Sequence, residues 1–296
     1  MQHLTLDAHS AAIPFERSAG YWETVARRFL RDKVALGAAV VVLLLLILAV
    51  LGPWIAPMDP YQSSMLKRLK PIGFEGHPLG TDELGRDMLS RLMVGARLSL
   101  FMGITPVIFA FVLGSVIGIT AGYTGGWVNS VMMRTIDVFY AFPSVLLAIA
   151  LSGALGAGIT NSLISLTIVF IPPIARVAES VTTQIRGRDF VDAARASGAS
   201  AFTIVRVHVL GNVLGPIFVY ATSLIAVSMI LASGLSFLGL GVKPPEPEWG
   251  LMLNTLRTAI YTQPWIAALP GVMIFITSIT FNLLADGLRS AMEIKQ

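Results

Sequence analysis

The side chains that carry out most protein chemistry are sparse and scattered in this 296-residue sequence. It contains no cysteine, so it offers no thiol nucleophile, no disulfide and no thiolate ligand for a metal. Its four histidines, His3, His9, His77 and His208, lie far apart and form no metal-ligand cluster. The P-loop pattern that holds ATP is absent, as are the His-Glu-x-x-His and Gly-x-Ser-x-Gly patterns of common hydrolases. The sequence therefore predicts that the chain is not an enzyme.

Two pairs of opposite charges stand near the ends of apolar runs. Asp137 follows Arg134 by three residues, and Glu179 follows Arg176 by three, which is the spacing of an ion pair within one helix. Such pairs could relay protons or ions, but we interpret both as interfacial pairs that anchor helix ends. The apolar runs hold no carboxylate near their middle, where a proton-driven carrier usually needs one. This pattern favours an external source of energy.

A polar, helix-forming segment at 189–212 separates two long apolar runs. Asp192, Ala193 and Ala194 favour a helix, and Gly198 is expected to end or bend it. The residues expected to make apolar contacts are Phe190, Val191, Ala194, Ala201 and Phe202. This pattern alone is equally typical of a plain interfacial helix and of a handle that a soluble partner can hold.

The elements that must position these residues are membrane spans. The chain is 55% hydrophobic and only 13% charged, whereas a soluble domain carries about 25% charged residues. Four stretches lack Asp, Glu, Lys and Arg altogether: 34–58, 98–133, 138–175 and 207–242. A spanning helix needs about 20 such residues. The net charge of +4 arises mostly at the edges of these runs, which indicates membrane topology rather than nucleic-acid binding.

Six spans are expected, at 34–56, 98–122, 131–152, 160–181, 210–233 and 265–285. The fourth contains Pro172 and Pro173, which predict a kink or an unwound segment. In the second, Gly114, Gly118 and Gly122 lie four residues apart on one face, and this spacing favours close approach of another helix. The predicted connections include a Gly-rich turn at 123–130 and a loop at 234–264.

Basic residues directly before the first span place the N-terminus in the cytoplasm by the positive-inside rule; they are Arg27, Arg28, Arg31 and Lys33. Six spans then put the C-terminus and the polar segment in the cytoplasm too, and the charged stretch 79–91 outside. The predicted organisation is a cytoplasmic tail at 1–33, a first span at 34–56 and an extracytoplasmic segment at 57–97. A core of five spans follows at 98–290, with a coupling loop at 182–210.

The polar segment resembles the EAA loop of ABC importer permeases. Asp192-Ala193-Ala194, three residues, Gly198, nine residues and then His208-Val-Leu-Gly reproduce the spacing of that loop. Three positions differ from the family pattern, in which Glu, a hydrophobic residue and Pro stand where this chain has Asp192, His208 and Gly211.

Further segments resemble one branch of this family, the C-type permease subunits of dipeptide, oligopeptide and nickel importers. The matching stretches are 79–91, 95–100, 121–126, 134–144, 235–241, 244–253 and 281–289. Together they extend the resemblance over residues 25–292, which is nearly the whole chain.

This resemblance implies an all-α integral membrane protein with the type I ABC importer permease fold, six transmembrane helices and a cytoplasmic coupling helix between spans 4 and 5. It implies a bacterial inner (plasma) membrane location, a second permease subunit and an extracytoplasmic binding protein. Two P-loop ATPases would bind the ATP and Mg²⁺, so no cofactor is expected in this chain. The residues expected to couple to an ATPase groove are Asp192, Ala193, Ala194, Gly198 and His208.

The resemblance implies transport of di- or oligopeptides, but similar systems carry glutathione, nickel chelates or opines. The absence of His or carboxylate clusters in the predicted spans disfavours a bare metal ion. The substrate-binding residues are not evident from the sequence, since much of the selectivity of such systems lies in the binding protein. The alternative outside this family is a six-span secondary carrier or channel. Neighbouring genes for a second permease, ATPases and a binding protein would distinguish the two.

Overall fold

A computed structural model describes residues 20–292 of the chain. Within that range the fold consists of helices joined by turns, with only isolated β-bridges. The helices are α1 (Tyr21–Arg31), α2 (Lys33–Ile55), α3 (Met88–Thr124), α4 (Gly126–Tyr140), α5 (Ser144–Leu155), α6 (Ile159–Arg186), α7 (Asp189–Ala196), α8 (Ala201–Ile204), α9 (Leu210–Phe237), α10 (Trp249–Thr255) and α11 (Pro264–Met292). A π-helical turn at Val205–Val209 joins α8 to α9, and 3₁₀ turns lie at Met65–Lys67 and Arg257–Tyr261.

Five long helices are apolar enough to cross a membrane, namely α2, α3, α6, α9 with the turns before it, and α11. The shorter α4 and α5 meet at a bend of 86° and would add a sixth span if they act as one broken span. The predicted third span at 131–152 is therefore interrupted by this bend. Pro143 explains the break, because proline lacks an N–H and disfavours helical backbone in the residue before it. It stands directly before α5 as its N-cap.

Helix α3 begins ten residues before the predicted span at 98–122. The side chain of Asp87 caps it by accepting a hydrogen bond from the Ser90 N–H at 2.8 Å. With 37 residues the helix is about 55 Å long, whereas the apolar core of a bilayer is about 30 Å thick. The first turns of α3 therefore project beyond the membrane-spanning part.

Two predicted connections are also shorter than expected. The Gly-rich turn at 123–130 is reduced to Gly125, since α4 already begins at Gly126. The loop at 234–264 contains helix α10, which the Glu248 carboxylate caps by accepting hydrogen bonds from two backbone N–H groups. The Glu248 cap extends helical structure at α10 beyond what apolar patterning indicates, whereas α4 begins at Gly126 without a side-chain cap.

The predicted glycine face of α3 is confirmed, and its partner is α6. A methyl group added at Gly114 would lie 2.9 Å from Ile174, and one at Gly122 would lie 2.7 Å from the carbonyl oxygen of Glu179. The same glycines bring α3 alongside the Pro172-Pro173 dipeptide. Helix α6 stays helical through both prolines, so the predicted unwound segment is wrong. Neighbouring helices can support a proline-containing helix in this way.

Connections between the long helices gather at two ends of the bundle. We call the end that carries residues 56–87 and 238–263 the cap end, and residues 56–87 the cap segment. At this end the Leu240 carbonyl accepts hydrogen bonds from Gly158 and Ser162, each at 3.0 Å. We call the opposite end the coupling end, and residues 187–209 the coupling segment. Helix α6 continues to Arg186, so the first five residues of the predicted loop at 182–210 belong to that helix.

Candidate coupling and translocation sites

The coupling segment folds as a short helix, α7, that is attached to the bundle along one side. Val191 of α7 is fully buried, as are Ile204 and Val209 in the turns that follow. On the outer side of α7, Asp192 pairs with Arg195 at 2.7 Å, and both side chains are about half exposed or more. The segment is therefore anchored by aliphatic side chains and presents a polar face to the outside.

Helix α7 ends as the sequence predicts. The Gly198 N–H donates to the Arg195 carbonyl, and the Ala199 N–H donates to the Ala194 carbonyl, both at 3.1 Å. This is the hydrogen-bond pattern of a Schellman motif, which requires a left-handed residue. Gly198 supplies it, with a φ of +80°. The predicted end of the helix at Gly198 is confirmed.

The sequence-predicted coupling residues lie together on this segment. Asp192, Ala193 and Gly198 are exposed, and a methyl group added at Gly198 would meet no atom within 4 Å. Ala194 is half-buried against the apolar core. His208 is also half-buried, and its ring lies 6.3 Å from that of Phe190 at the start of α7. All five residues therefore belong to one continuous surface region, whose contact with an ATPase stays a prediction.

Three apolar side chains of the coupling segment point outward. Phe202 is 75% exposed, Val207 is 61% exposed and Phe190 is 43% exposed. Of the residues with predicted apolar contacts, Val191 is buried and Ala194 is half-buried, whereas Phe190, Ala201 and Phe202 are exposed. Ile204 is buried in addition. The sequence does not indicate whether Phe190 and Phe202 face the bundle or the outside, because α7 and α8 are too short to show a clear periodicity.

The predicted intrahelical ion pairs are wrong. Asp137 of α4 pairs with Arg176 of α6, and Glu179 of α6 accepts a hydrogen bond from the Asn129 side chain of α4 at 2.7 Å. Both interactions cross from one helix to the other, because α4 packs beside α6 near the coupling end. They therefore connect the broken α4–α5 element directly to the helix that leads into the coupling segment.

An aromatic pocket of about 310 Å³ lies beside the α4–α5 bend. Its lining comes from α4, α5, α6 and α9 and includes Tyr140, Phe142, Pro173 and Tyr220. None of its lining residues carries a formal charge. Such a surface can contact a substrate through rings and hydroxyl groups, but it offers no specific charge partner.

At the cap end, the motif at 79–91 forms a buried network of charges. The Asp82 carboxylate accepts from the Arg86 Nε at 2.6 Å and lies 3.2 Å from the Arg91 Nε. These three side chains are at most 5% exposed. The His77 Nδ1 lies 3.0 Å from the carboxylate of Asp87, the residue that caps α3. The network fixes the cap segment on the first turns of α3.

A second buried acid at the cap end holds the chain after α9. The Glu248 carboxylate accepts from the N–H groups of Gly250 and Leu251, each at 2.8 Å. Burial raises the pKa of Glu248, although these hydrogen bonds act against that shift. Within residues 20–292 no group of three or more His, Asp or Glu side chains could hold a metal ion. The buried carboxylates of Asp82 and Glu248 thus already bind arginine and backbone N–H groups.

The bundle of long apolar helices and the short polar helix that projects from it define an all-α membrane fold. Solved structures support the fold. The methionine ABC transporter MetNI in an inward-facing conformation matches with a TM-score of 0.57 and 20% identity, over 69% of this chain and 97% of that chain. An amino acid ABC transporter matches with a TM-score of 0.51 and 15% identity, over 66% and 91%.

Two family models match the sequence. The model described as binding-protein-dependent transport system inner membrane component matches residues 114–294, and the N-terminal TM domain of oligopeptide transport permease C matches residues 20–71. The chain belongs to this family of inner membrane components, as a C-type permease of the peptide-type ABC importers. It is a multi-pass inner membrane transport subunit and not an enzyme, and the importer of such a permease includes ATPase and substrate-binding partners.

The chain is also similar over its full length to curated relatives. It is 39% identical to the glutathione transport system permease protein GsiD of Pectobacterium atrosepticum, over 100% of this chain and 99% of the relative. It is 42% identical to the GsiD protein of Escherichia coli O6:K15:H31 (strain 536), over 93% and 90%.

Proposed function

We propose that this chain forms half of the membrane path through which an ATP-driven importer takes up glutathione or short peptides of similar size. The observation that carries this proposal is the 39–42% identity to glutathione permeases over nearly the whole of both chains. Glutathione is a tripeptide, so it falls within the peptide class that the sequence predicts. It is also the first of the alternative substrates considered above.

The aromatic pocket beside the α4–α5 bend is our candidate for this chain's side of the path. It lies beside the bend between α4 and α5, and non-helical backbone is tolerated at membrane depth only when it is buried in protein or lines a cavity. Tyr140 and Tyr220 offer hydroxyl groups to peptide amides there. A pocket without formal charge suits a path that releases its substrate, while the binding protein selects it.

The coupling segment is our candidate for the ATPase contact. Asp192, Ala193, Ala194, Gly198 and His208 would lie in or beside a groove of one ATPase, and the outward Phe202 would supply an apolar anchor. Exposed aromatic residues of this kind often dominate the energy of an interface. Movement of the segment would pass directly into α6 and α9, to which it is covalently joined. A full switch between two states requires about 5.5 kcal/mol of differential contact energy.

The proposed assembly contains this chain, a second and similar permease, two P-loop ATPases that bind ATP and Mg²⁺, and an extracytoplasmic binding protein. Both termini and the coupling segment would face the cytoplasm, and the cap end would face outward. The amphipathic α1 carries Arg27, Arg28 and Arg31 immediately before α2, as the positive-inside rule requires of a cytoplasmic end.

Uptake of labelled glutathione tests the substrate assignment. Cells that express the complete importer should accumulate glutathione, and unlabelled glutathione should compete better than a nickel chelate or an opine. Uptake of dipeptides with no competition by glutathione would contradict glutathione as the substrate, and would leave short peptides and the importer class intact.

The same assay tests the coupling assignment with two matched glycines. Gly198 and Gly239 both have a φ of +80° and open space around them, but they lie at opposite ends of the bundle. Asn tolerates this backbone, so Gly198→Asn should abolish most uptake by obstructing the ATPase contact, whereas Gly239→Asn should not. Equal uptake by the two variants would contradict the coupling role.

A further inference from the structure

A large cavity lies at the cap end, apart from the coupling segment and the aromatic pocket. It has a volume of about 1120 Å³, above the range of roughly 300–1,000 Å³ that is usual for small-ligand pockets. Apolar side chains of two antiparallel helices form most of its wall, among them Leu46 and Val50 of α2 and Phe101 and Ile104 of α3. The cavity follows the groove between these helices.

Charged side chains of both signs lie at the mouth of this cavity. Arg97 of α3 is exposed and makes no hydrogen bond or ion pair with any residue in the described range 20–292. Asp59 and Glu246 contribute carboxylates from two separate loops. The hydroxyl of Tyr61 donates to the Glu246 carboxylate at 2.9 Å, and the Tyr61 N–H donates to Asp59 at 2.8 Å. Within the described residues, the cavity thus combines an unpaired arginine with two acids that a tyrosine connects.

A buried arginine holds the two acidic loops in place from below. The Arg91 guanidinium donates to the Pro60 carbonyl at 2.9 Å and to the Pro245 carbonyl at 3.4 Å. These carbonyls belong to the residues next to Asp59 and Glu246. Arg91, which belongs to the cap-end charge network, thus fixes the backbone beside both acids.

The depth of the cavity fits one leaflet of a membrane. The cavity lining extends from Pro53 down to Leu46 on α2 and from Val94 down to Thr105 on α3, which is about 10 Å and about 16 Å at the helical rise of 1.5 Å per residue. One leaflet contributes about half of a 30 Å apolar core. Trp54, 74% exposed beside the mouth, is typical of headgroup depth. The charged mouth thus lies at headgroup level and the apolar wall at the level of acyl chains.

We propose that this cavity binds a phospholipid whose headgroup carries both a phosphate and a primary ammonium, of which phosphatidylethanolamine is the simplest. The phosphate would accept hydrogen bonds from the Arg97 guanidinium, and the ammonium would donate to Asp59 and Glu246. The acyl chains would lie against the apolar wall of α2 and α3. A purely anionic headgroup would meet two carboxylates, and a quaternary ammonium has no N–H to donate to them.

Native mass spectrometry of the complete importer tests the proposal. The complex is purified from membranes and exchanged into phosphatidylethanolamine, phosphatidylcholine or phosphatidylglycerol. We expect retained phosphatidylethanolamine and little of the other two. Arg97→Gln should lower retention about tenfold, since a hydrogen bond to a charged group is lost. Arg257→Gln is the matched control, because Arg257 is an exposed arginine of the cap end that does not line the cavity.

A second variant, which fills the cavity, keeps the proposal testable if the Arg97→Gln importer fails to assemble. Val50→Trp adds bulk inside the groove, whereas Val40→Trp adds the same bulk to an exposed position of α2 outside it. Only the first should lower lipid retention. Equal retention of all three lipids, or unchanged retention in both Arg97→Gln and Val50→Trp, would overturn the proposal.

Photo-crosslinking distinguishes a lipid from a protein occupant. The chain has no cysteine, so a photoreactive label can be attached to a single cysteine introduced by Val50→Cys. An adduct with phosphatidylethanolamine supports the proposal. An adduct with the second permease subunit would show that a partner helix fills the groove, and would overturn it.

Discussion

The two ends of the bundle use charged residues in opposite ways. At the cap end, Asp82 and its arginine partners Arg86 and Arg91 are almost completely buried. At the coupling end, Asp192 pairs with Arg195 at a similar distance, but the two side chains are 64% and 49% exposed. The spacing along the chain is nearly the same, since Arg86 follows Asp82 by four residues and Arg195 follows Asp192 by three. The two charge pairs therefore differ in their burial and not in how they pair.

This difference assigns different mechanical roles to the two ends. A buried charge network tolerates little rearrangement, because moving one partner leaves another charge without compensation in a poorly solvated site. Exposed pairs and outward apolar side chains can exchange water for a protein surface at small cost. The cap end is therefore the more rigid frame, and we propose the coupling end as the surface that a partner contacts.

The largest expected effect is a difference in stability between variants of Asp82 and Asp192. Asp82→Asn leaves the buried Arg91 guanidinium without its paired carboxylate, while Arg86 keeps only Glu83, and should lower the free energy of unfolding by about 3–5 kcal/mol. Asp192→Asn removes an exposed pair and should cost at most about 1 kcal/mol. Thermal unfolding of the purified variants measures both. Equal losses would show that the cap end is not the more rigid of the two.

A medium effect is expected at the exposed apolar side chains. Phe202→Ser should weaken ATPase binding about thirtyfold, which corresponds to about 2 kcal/mol for a buried interface anchor. The stability of the isolated permease should not change, because Phe202 is exposed in it. Leu66→Ser is the control, as Leu66 is 91% exposed at the cap end. Titration of ATPase against each purified variant provides the measurement, and equal affinities would refute the anchor.

The smallest effect concerns the pH dependence of the cap end. Burial, and then the charge of Asp82, raises the pKa of Glu83 above its ordinary value of 4.5. A carboxyl group of this kind stabilises the fold fully below pH 4.5 and loses that contribution as the pH rises through its raised pKa. Glu83→Gln imitates the protonated form.

The melting temperature of Glu83→Gln should therefore rise relative to wild type as the pH is increased from about 4.5 to about 7. Glu75→Gln, at an exposed position of the same segment, serves as control and should follow the wild type. A difference that stays constant over this pH range would indicate that Glu83 is not coupled to the buried network.

Local features of this protein could be predicted from sequence with good accuracy. The apolar runs locate the long helices, because a spanning helix needs a continuous stretch of apolar residues. Gly198 marks the end of α7, since a Schellman motif requires a left-handed residue. The glycines of α3 indicate a close helix contact through their spacing of four. Each of these signals lies within a few turns of one helix.

Long-range partners could not be predicted in this way. Asp137 stands one turn from Arg134, but its partner is Arg176, which is 39 residues away in sequence. The 86° bend between α4 and α5 lies within one uninterrupted apolar run, so composition alone predicts a single helix there. Phe202 and Val191 belong to the same apolar set in the sequence, and only packing shows that one is outward and the other buried.

The sequence by itself determined that this chain is a helical membrane protein with a polar segment between two spans, because apolar length, glycine spacing and capping act locally. Its resemblance to ABC importer permeases rests on motifs that can also be read without the structure. Only the tertiary structure decided that the charges at 79–91 form a buried frame, and that three separate chain segments enclose a cavity with Arg97, Asp59 and Glu246 at its mouth. Burial and enclosure depend on which helices pack together, and that property arises only when distant parts of the chain meet.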